Sequence, residues 1–283
     1  MDSQRGDAAV SGPVASGRGV LERGVLESGM ARILILGGTA EARQLAGRLA
    51  GRAGLDITLS LAGRTATPAA QPVPVRVGGF GGAEGLANYL TGERIDALID
   101  ATHPYAKVIS ANATAAARRS GVPLIALRRP PWIAVSGDRW IEVSDVGEAV
   151  RAIGQTPRRV FVALGRNELK PFGTAPQHYY LIRSVDPVDP PLPLLHVGYV
   201  TGRGPFCEAD DHALMTEHRI DVVIAKNSGG NATYGKIAAA RALGIEIIML
   251  RRPPPSDGVA VDTIEDAIVW LDHALTSAAA RGV

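Results

Sequence analysis

Only one cysteine, Cys207, occurs in 283 residues, which excludes an intrachain disulfide framework and any paired-cysteine metal site and fits a reducing compartment. A dominant charge is missing too. Thirty Lys and Arg against 28 Asp and Glu leave a formal charge of +2, so no broad basic face for nucleic acid is expected. No apolar run is long enough to cross a bilayer, so no membrane partner is expected either. The six histidines include no HxxxH pair and no compact carboxylate-flanked set, and no metal site is expected. A GxSxG elbow is absent, and so is the GxxxxGK[ST] loop of a Walker ATP site. The Tyr-x-x-x-Lys pair of short-chain dehydrogenases is missing as well: Ile109 stands four residues after Tyr105, and Ala238 four after Tyr234.

The remaining composition is ordinary for a globular chain, at 46% apolar and 20% charged residues. The opening stretch, residues 1–29, is rich in Gly, Ser and Arg and lacks the apolar core of a secretory signal. It reads as a disordered N-terminal extension of a cytoplasmic protein. From Arg32 onward, β-rich runs alternate with helical patterns. Ile33-Leu34-Ile35-Leu36 is a strand apolar on both faces, and Ala42, Leu45, Ala46 and Leu49 form the stripe of the helix after it. The alternation continues to Leu127, is interrupted by an irregular crossover over residues 128–155, and restarts at Val160. The last helix carries Ile264, Ala267, Ile268, Leu271 and Leu275 on one stripe. The expected class is α/β, with two doubly wound Rossmann-like lobes on largely parallel sheets. The expected division is a dinucleotide-binding domain over 30–150 and a second α/β domain over 151–283.

Gly37-Gly38-Thr39-Ala40-Glu41-Ala42 links the first strand to its helix, where backbone N–H groups hold a pyrophosphate in dinucleotide-binding folds. Thr39 replaces the second glycine of GxGxxG, so position rather than glycine count carries the signal. The second strand ends Ser60-Leu61-Ala62-Gly63-Arg64-Thr65 with no acid for a ribose 2′-OH. Arg64, helped by Ser60 or Thr65, suits a 2′-phosphate, which makes NADPH the expected cofactor. In the loop after the fourth strand, Ala101 and Thr102 are expected to border the nicotinamide ribose, with His103 and Tyr105 as candidate proton donors.

The second lobe offers Lys226-Asn227-Ser228-Gly229-Gly230 after an apolar strand, then Thr233-Tyr234-Gly235-Lys236 opening a helix. This reads as a carboxylate or phosphate clamp, with Tyr234 a further candidate proton donor. Arg128, Arg166 and Arg203 are strand-end or loop cations expected to face the same polyanionic small molecule.

Several segments together resemble the precorrin-6A reductase family: the run from Ile33 to Arg43, Gly78-Gly79-Phe80-Gly81-Gly82, Asp100 to Ala106, and Arg129-Pro130-Pro131-Trp132. Gly204-Pro205-Phe206, Lys226 to Gly230 and Thr233 to Lys236 match as well. The resemblance spans the chain from about Met30 to near its C-terminus. It implies NADPH-dependent hydride transfer to a carbon of precorrin-6A and protonation of the neighbouring carbon, giving precorrin-6B on the way to cobalamin. The implied substrate is a tetrapyrrole with many acetate and propionate arms, passed on to neighbouring pathway enzymes. A cobalt-containing substrate, as in the anaerobic branch, and a non-catalytic nucleotide or tetrapyrrole carrier are the alternatives left open.

Overall fold

The computed structural model describes residues 29–63, 69–254 and 258–281, and the chain forms two six-stranded sheets in which every strand pair is parallel. The first half runs β1 (Ala31–Leu36), α1 (Ala40–Leu49), β2 (Leu55–Leu61), β3 (Val75–Val77), α2 (Gly82–Gly92), β4 (Ala97–Asp100), α3 (Lys107–Ser120) and β5 (Leu124–Leu127). The second half begins with β6 (Trp140–Val143), α4 (Val146–Ile153), β7 (Arg159–Ala163), β8 (Tyr179–Ser184) and β9 (Val197–Thr201). It ends with α5 (Glu208–Glu217), β10 (Val222–Lys226), α6 (Gly235–Ala242), β11 (Glu246–Leu250), β12 (Val259–Val261) and α7 (Ile264–Arg281).

Local chemistry accounts for these elements. Ile33 to Leu36 are buried because helices cover both faces of the first sheet: α1 and α7 on one side, α2 and α3 on the other. Thr39 caps α1, its Oγ1 accepting from the Ala42 N–H at 3.1 Å. Asp145 caps α4 in the same way, at 2.8 Å from the Glu148 N–H. Gly121 ends α3 with φ +73°, a left-handed turn that costs glycine little. Among the described residues no helix is long and apolar enough to cross a membrane.

The strand orders are β12-β5-β4-β1-β2-β3 and β6-β11-β10-β7-β8-β9. Each sheet reverses its direction of winding at one strand pair, β1/β4 in the first and β7/β10 in the second. Sheet membership departs from the division expected at 150/151. β6 pairs with β11 and carries α4 into the second lobe, where Ala149, Val150 and Ile153 are buried. β12 returns to pair with β5, and α7 buries Ala267 and Leu271 against β1 and α1. The sixth strand of each sheet, with its helix, thus comes from the opposite half of the sequence. Periodicity reports which residues face a core; it does not report which of two free sheet edges a strand joins. The expected extension over 1–29 lies, apart from Gly29, outside the described residues.

Candidate active site

Ligands in open α/β sheets bind where the strand order reverses, and here the two reversal points face one another across a cleft of about 880 Å³. Gly38, Thr39 and Ala40 line it from the β1–α1 turn, and His103 from the loop after β4. Across from them stand Val185 after β8, Arg203-Gly204-Pro205 after β9, and Ser228, Gly229 and Thr233 after β10.

The turn is shaped for close approach of a ligand. A Cβ on Gly37 would lie 2.6 Å from Leu59 Cδ1, so a larger residue would push the Leu59 side chain aside where the turn packs on β2. Gly38 has φ +114° and nothing within 4 Å of its Cβ position, leaving open backbone beside the helix start. The Thr39 hydroxyl donates to the Ala101 carbonyl at 2.8 Å while it caps α1, tying the turn to the β4 loop. With Ala42 and Arg43 N–H groups taken by Thr39, the remaining first-turn donors of α1 have no intrahelical acceptor. Together with the positive end of the helix they suit a pyrophosphate, and the residues present fit a dinucleotide. Ser60, Ala101 and Thr102 are buried behind this wall; Thr102 is held by Asp100 through its N–H at 3.1 Å and its hydroxyl at 2.6 Å. Arg64 and Thr65 lie outside the described residues.

A dense set of contacts joins the lobes at the base of the cleft. Tyr105 reaches over from the first lobe, its hydroxyl donating to the Leu250 carbonyl and accepting the Asn227 N–H at 2.9 Å. Burial pushes this phenol up to about 12, so it keeps its proton. Arg129, on the crossover, pairs with Glu41 of α1 and donates to the Ser228 carbonyl at 2.7 Å. Arg252, on the returning crossover, donates to the carbonyls of Asn227 at 2.8 Å, Arg129 at 2.7 Å and Ser228 at 2.8 Å. Asn227 clamps Trp132 through both its amide atoms, at 2.7 and 2.9 Å. A Cβ on Gly229 would fall 2.1 Å from the Pro130 carbonyl, so the two segments meet only with glycine there.

Five of the residues expected to act on ligands, Arg128, Arg166, Lys226, Tyr234 and Lys236, do not line the cleft. Arg128 pairs with Asp100 and donates to Ser110 Oγ at 2.9 Å, inside the first lobe. Lys226 pairs with Glu168 and sits 5.0 Å from the Tyr105 ring centre. Lys236 is buried and donates to the Thr233 carbonyl at 2.6 Å; burial, then Arg183, lower its ammonium to about 7. The Tyr234 hydroxyl accepts from Arg241 at 2.6 Å and is not part of the cleft lining. Arg166 is exposed on a short 3-10 turn, also away from the lining. Asn227, Glu41 and Tyr105 hold the lobes together instead. For the buried and half-buried ones the physical reason is shared: a cation or hydroxyl drawn out of water must find an opposite charge or a carbonyl.

His103 lines the cleft, with Nδ1 accepting the Tyr105 N–H at 3.3 Å and Nε2 3.1 Å from Ser228 Oγ. Burial first, then Arg129, Lys226, Arg252 and Lys236, hold its ring down at about 3, so it is neutral at working pH. Beyond Ala40, sequence reasoning missed the cleft face of α1, where Arg43, Gln44 and Gly47 follow the helical repeat, and the facing segment Ala70-Gln71-Pro72. The signal was available: Arg43 is an exposed cation one turn into the helix that carries the glycine loop.

A family model described as precorrin-6x reductase CbiJ/CobK matches residues 32–272. The precorrin-6A reductase of Sinorhizobium sp is 57% identical over 247 residues, covering 87% of this chain and 95% of that protein. The solved structure of a CobK precorrin-6A reductase is similar with a TM-score of 0.83 at 47% identity, covering 87% of this chain and 97% of that one. A cobalt-precorrin-6A reductase of Priestia megaterium is 28% identical over 256 residues, covering 87% of this chain and 98% of that protein. With nearly its whole described length matched, the chain belongs to the precorrin-6x reductase family and is an oxidoreductase of cobalamin biosynthesis.

Proposed function

We propose that this enzyme reduces precorrin-6A to precorrin-6B with NADPH, adding hydride to one macrocycle carbon and a proton to its neighbour. The observation that carries the reading is one cleft with two unlike walls. One wall is a glycine turn at a helix N-terminus, and the other is the set of loops after β8, β9 and β10. The higher identity to the Sinorhizobium enzyme, 57% against 28% to the cobalt-named one, supports the metal-free substrate.

Gly38, Thr39 and Ala40, with the first-turn N–H groups of α1, hold the pyrophosphate, and NADPH bound there supplies the hydride. The end of β2 carries no acid, and Arg64, which follows Gly63 in the sequence, would pair with the 2′-phosphate. Arg43 and Arg203 stand on opposite walls and meet the acetate and propionate arms of the ring. The two walls of the cleft would hold the ring against the nucleotide and exclude water. Well-oriented partners gain about 7–11 kcal/mol at best, against about 10²–10⁴-fold for a placed acid. His103 is neutral, Tyr105 retains its proton and Tyr234 is engaged with Arg241, so orientation is the larger contribution.

The test is NADPH absorbance followed with precorrin-6A and, in parallel, with its cobalt form. Oxidation dependent on the metal-free ring is expected. Tight binding without turnover identifies a carrier, and preference for the cobalt form moves the enzyme to the anaerobic branch. Arg64→Ala is expected to weaken NADPH by tenfold or more, on the order of one to two charge-assisted hydrogen bonds, and NADH hardly at all. Equal loss for both nucleotides removes Arg64 from the phosphate.

A further inference from the structure

A hydrogen-bond chain of one polarity crosses from the first lobe to the second at the cleft. The Tyr105 backbone N–H donates to His103 Nδ1 at 3.3 Å, so that nitrogen carries its lone pair. In a neutral ring the proton then sits on Nε2, which is 3.1 Å from Ser228 Oγ. The imidazole donates and the serine oxygen accepts. The serine's own O–H is left over, and no acceptor for it is found among the described residues. Both side chains line the cleft, and the cleft is the space open to that hydrogen.

Everything about Ser228 is fixed in place. Its carbonyl accepts from Arg129 at 2.7 Å and Arg252 at 2.8 Å, and its N–H donates to the Lys226 carbonyl at 2.7 Å. The left-handed Gly229, packed on the Pro130 carbonyl, anchors the next residue. A hydroxyl that accepts a hydrogen bond becomes a better donor.

We propose that the Ser228 hydroxyl donates to a carboxylate of the substrate, with His103 as the positioning residue that orients it. This rests on the reductase reading above and adds a role for two residues within it. Burial and four surrounding cations, Arg129, Lys226, Arg252 and Lys236, keep the imidazole neutral, so the polarity does not reverse across the working range.

The experiment is steady-state kinetics with precorrin-6A, together with NADPH affinity by direct titration. Ser228→Ala is expected to raise the substrate KM by roughly 10–100-fold, the loss of one hydrogen bond to a charged group, with NADPH affinity unchanged. Ser228→Thr, which keeps the hydroxyl, restores most of the affinity. His103→Phe reproduces part of the loss, and adding it to Ser228→Ala costs nothing more, because the imidazole acts through the serine. An unchanged KM in Ser228→Ala overturns the proposal, as does weakened NADPH binding in its place. Additive losses in the double variant also overturn it, and so does an acid limb near pH 6–7 that vanishes in His103→Gln. If His103→Phe does not fold, the two serine variants decide. A wild-type enzyme inert towards precorrin-6A sinks the reductase reading and this role together; an active one indifferent to Ser228→Ala sinks the role alone.

Discussion

The two lobes share one strand order but differ in the element that comes after the reversal strand, β1 or β7. In the first lobe β1 runs into α1, a ten-residue helix whose opening turn lines the cleft. In the second, β7 runs into two short 3-10 turns, Arg166–Glu168 and Lys170–Thr174. At that place the second lobe puts its own anion: the Glu168 carboxylate accepts the Gly165 N–H at 3.2 Å and pairs with Lys226. A sheet of this kind offers donors suited to a phosphate only where a full helix begins at the reversal point and its first N–H groups are left over. The second lobe pairs Lys226 internally, and the groups it turns to the cleft, such as Arg203 and Ser228, come from loops.

The contrast is sharpest in the second lobe's core. Arg183 and Asp211 form an ion pair buried beneath the Phe206 ring. Asp211→Ala leaves that guanidinium buried and unpaired, and a loss of about 3–5 kcal/mol in unfolding free energy is expected by urea denaturation. A loss below about 1 kcal/mol means that the pair is wet. The first lobe depends instead on the helix that returns to it. Leu271 of α7 is fully buried against β1 and α1, and Leu271→Ala is expected to cost about 2–5 kcal/mol by the same measurement. A near-zero cost would show that α7 is not integral to the first lobe.

A subtler test concerns Lys236. Its folded ammonium titrates near 7 against an ordinary 10.5, so between these values the unfolded chain binds the extra proton. Stability therefore rises with pH across that window and flattens below about pH 7, where both states are protonated. Relative to Lys236→Met, the wild type is expected to gain about 2 kcal/mol between pH 7 and 9. A pH-independent difference in urea midpoints would mean that the lysine is hydrated in the folded state. The smallest effect is expected at the exposed pair between Arg52, in the turn after α1, and Asp272 of α7, 2.7 Å apart. Arg52→Ala is expected to change stability by at most about 1 kcal/mol, because water screens the charges; a larger loss would mean that α7 is held by charge as well as packing.

Much of the first lobe was legible in its residues. The strand Ile33 to Leu36, the apolar stripe of α1 and the small turn residues each state a local requirement that any neighbourhood would honour. The cations were less legible. Arg128, Lys226 and Lys236 read as ligand groups because a sequence displays a charge but not the carboxylate or carbonyl that meets it. Arg43 was overlooked for the converse reason: its value comes from which helix face the opposite lobe leaves open.

By itself, the sequence determined the βα alternation, the glycine turn before α1 and the residue types that line a reductase cleft, since these arise from propensity, periodicity and capping within a few residues. Only the tertiary structure decided that β6 and β12 exchange sheets, that Glu168 stands at the second reversal point, and that burial and neighbouring cations keep His103 neutral. Those outcomes depend on contacts between residues tens to more than a hundred positions apart, where burial and charge pairing are set by the assembled lobes and by no local segment.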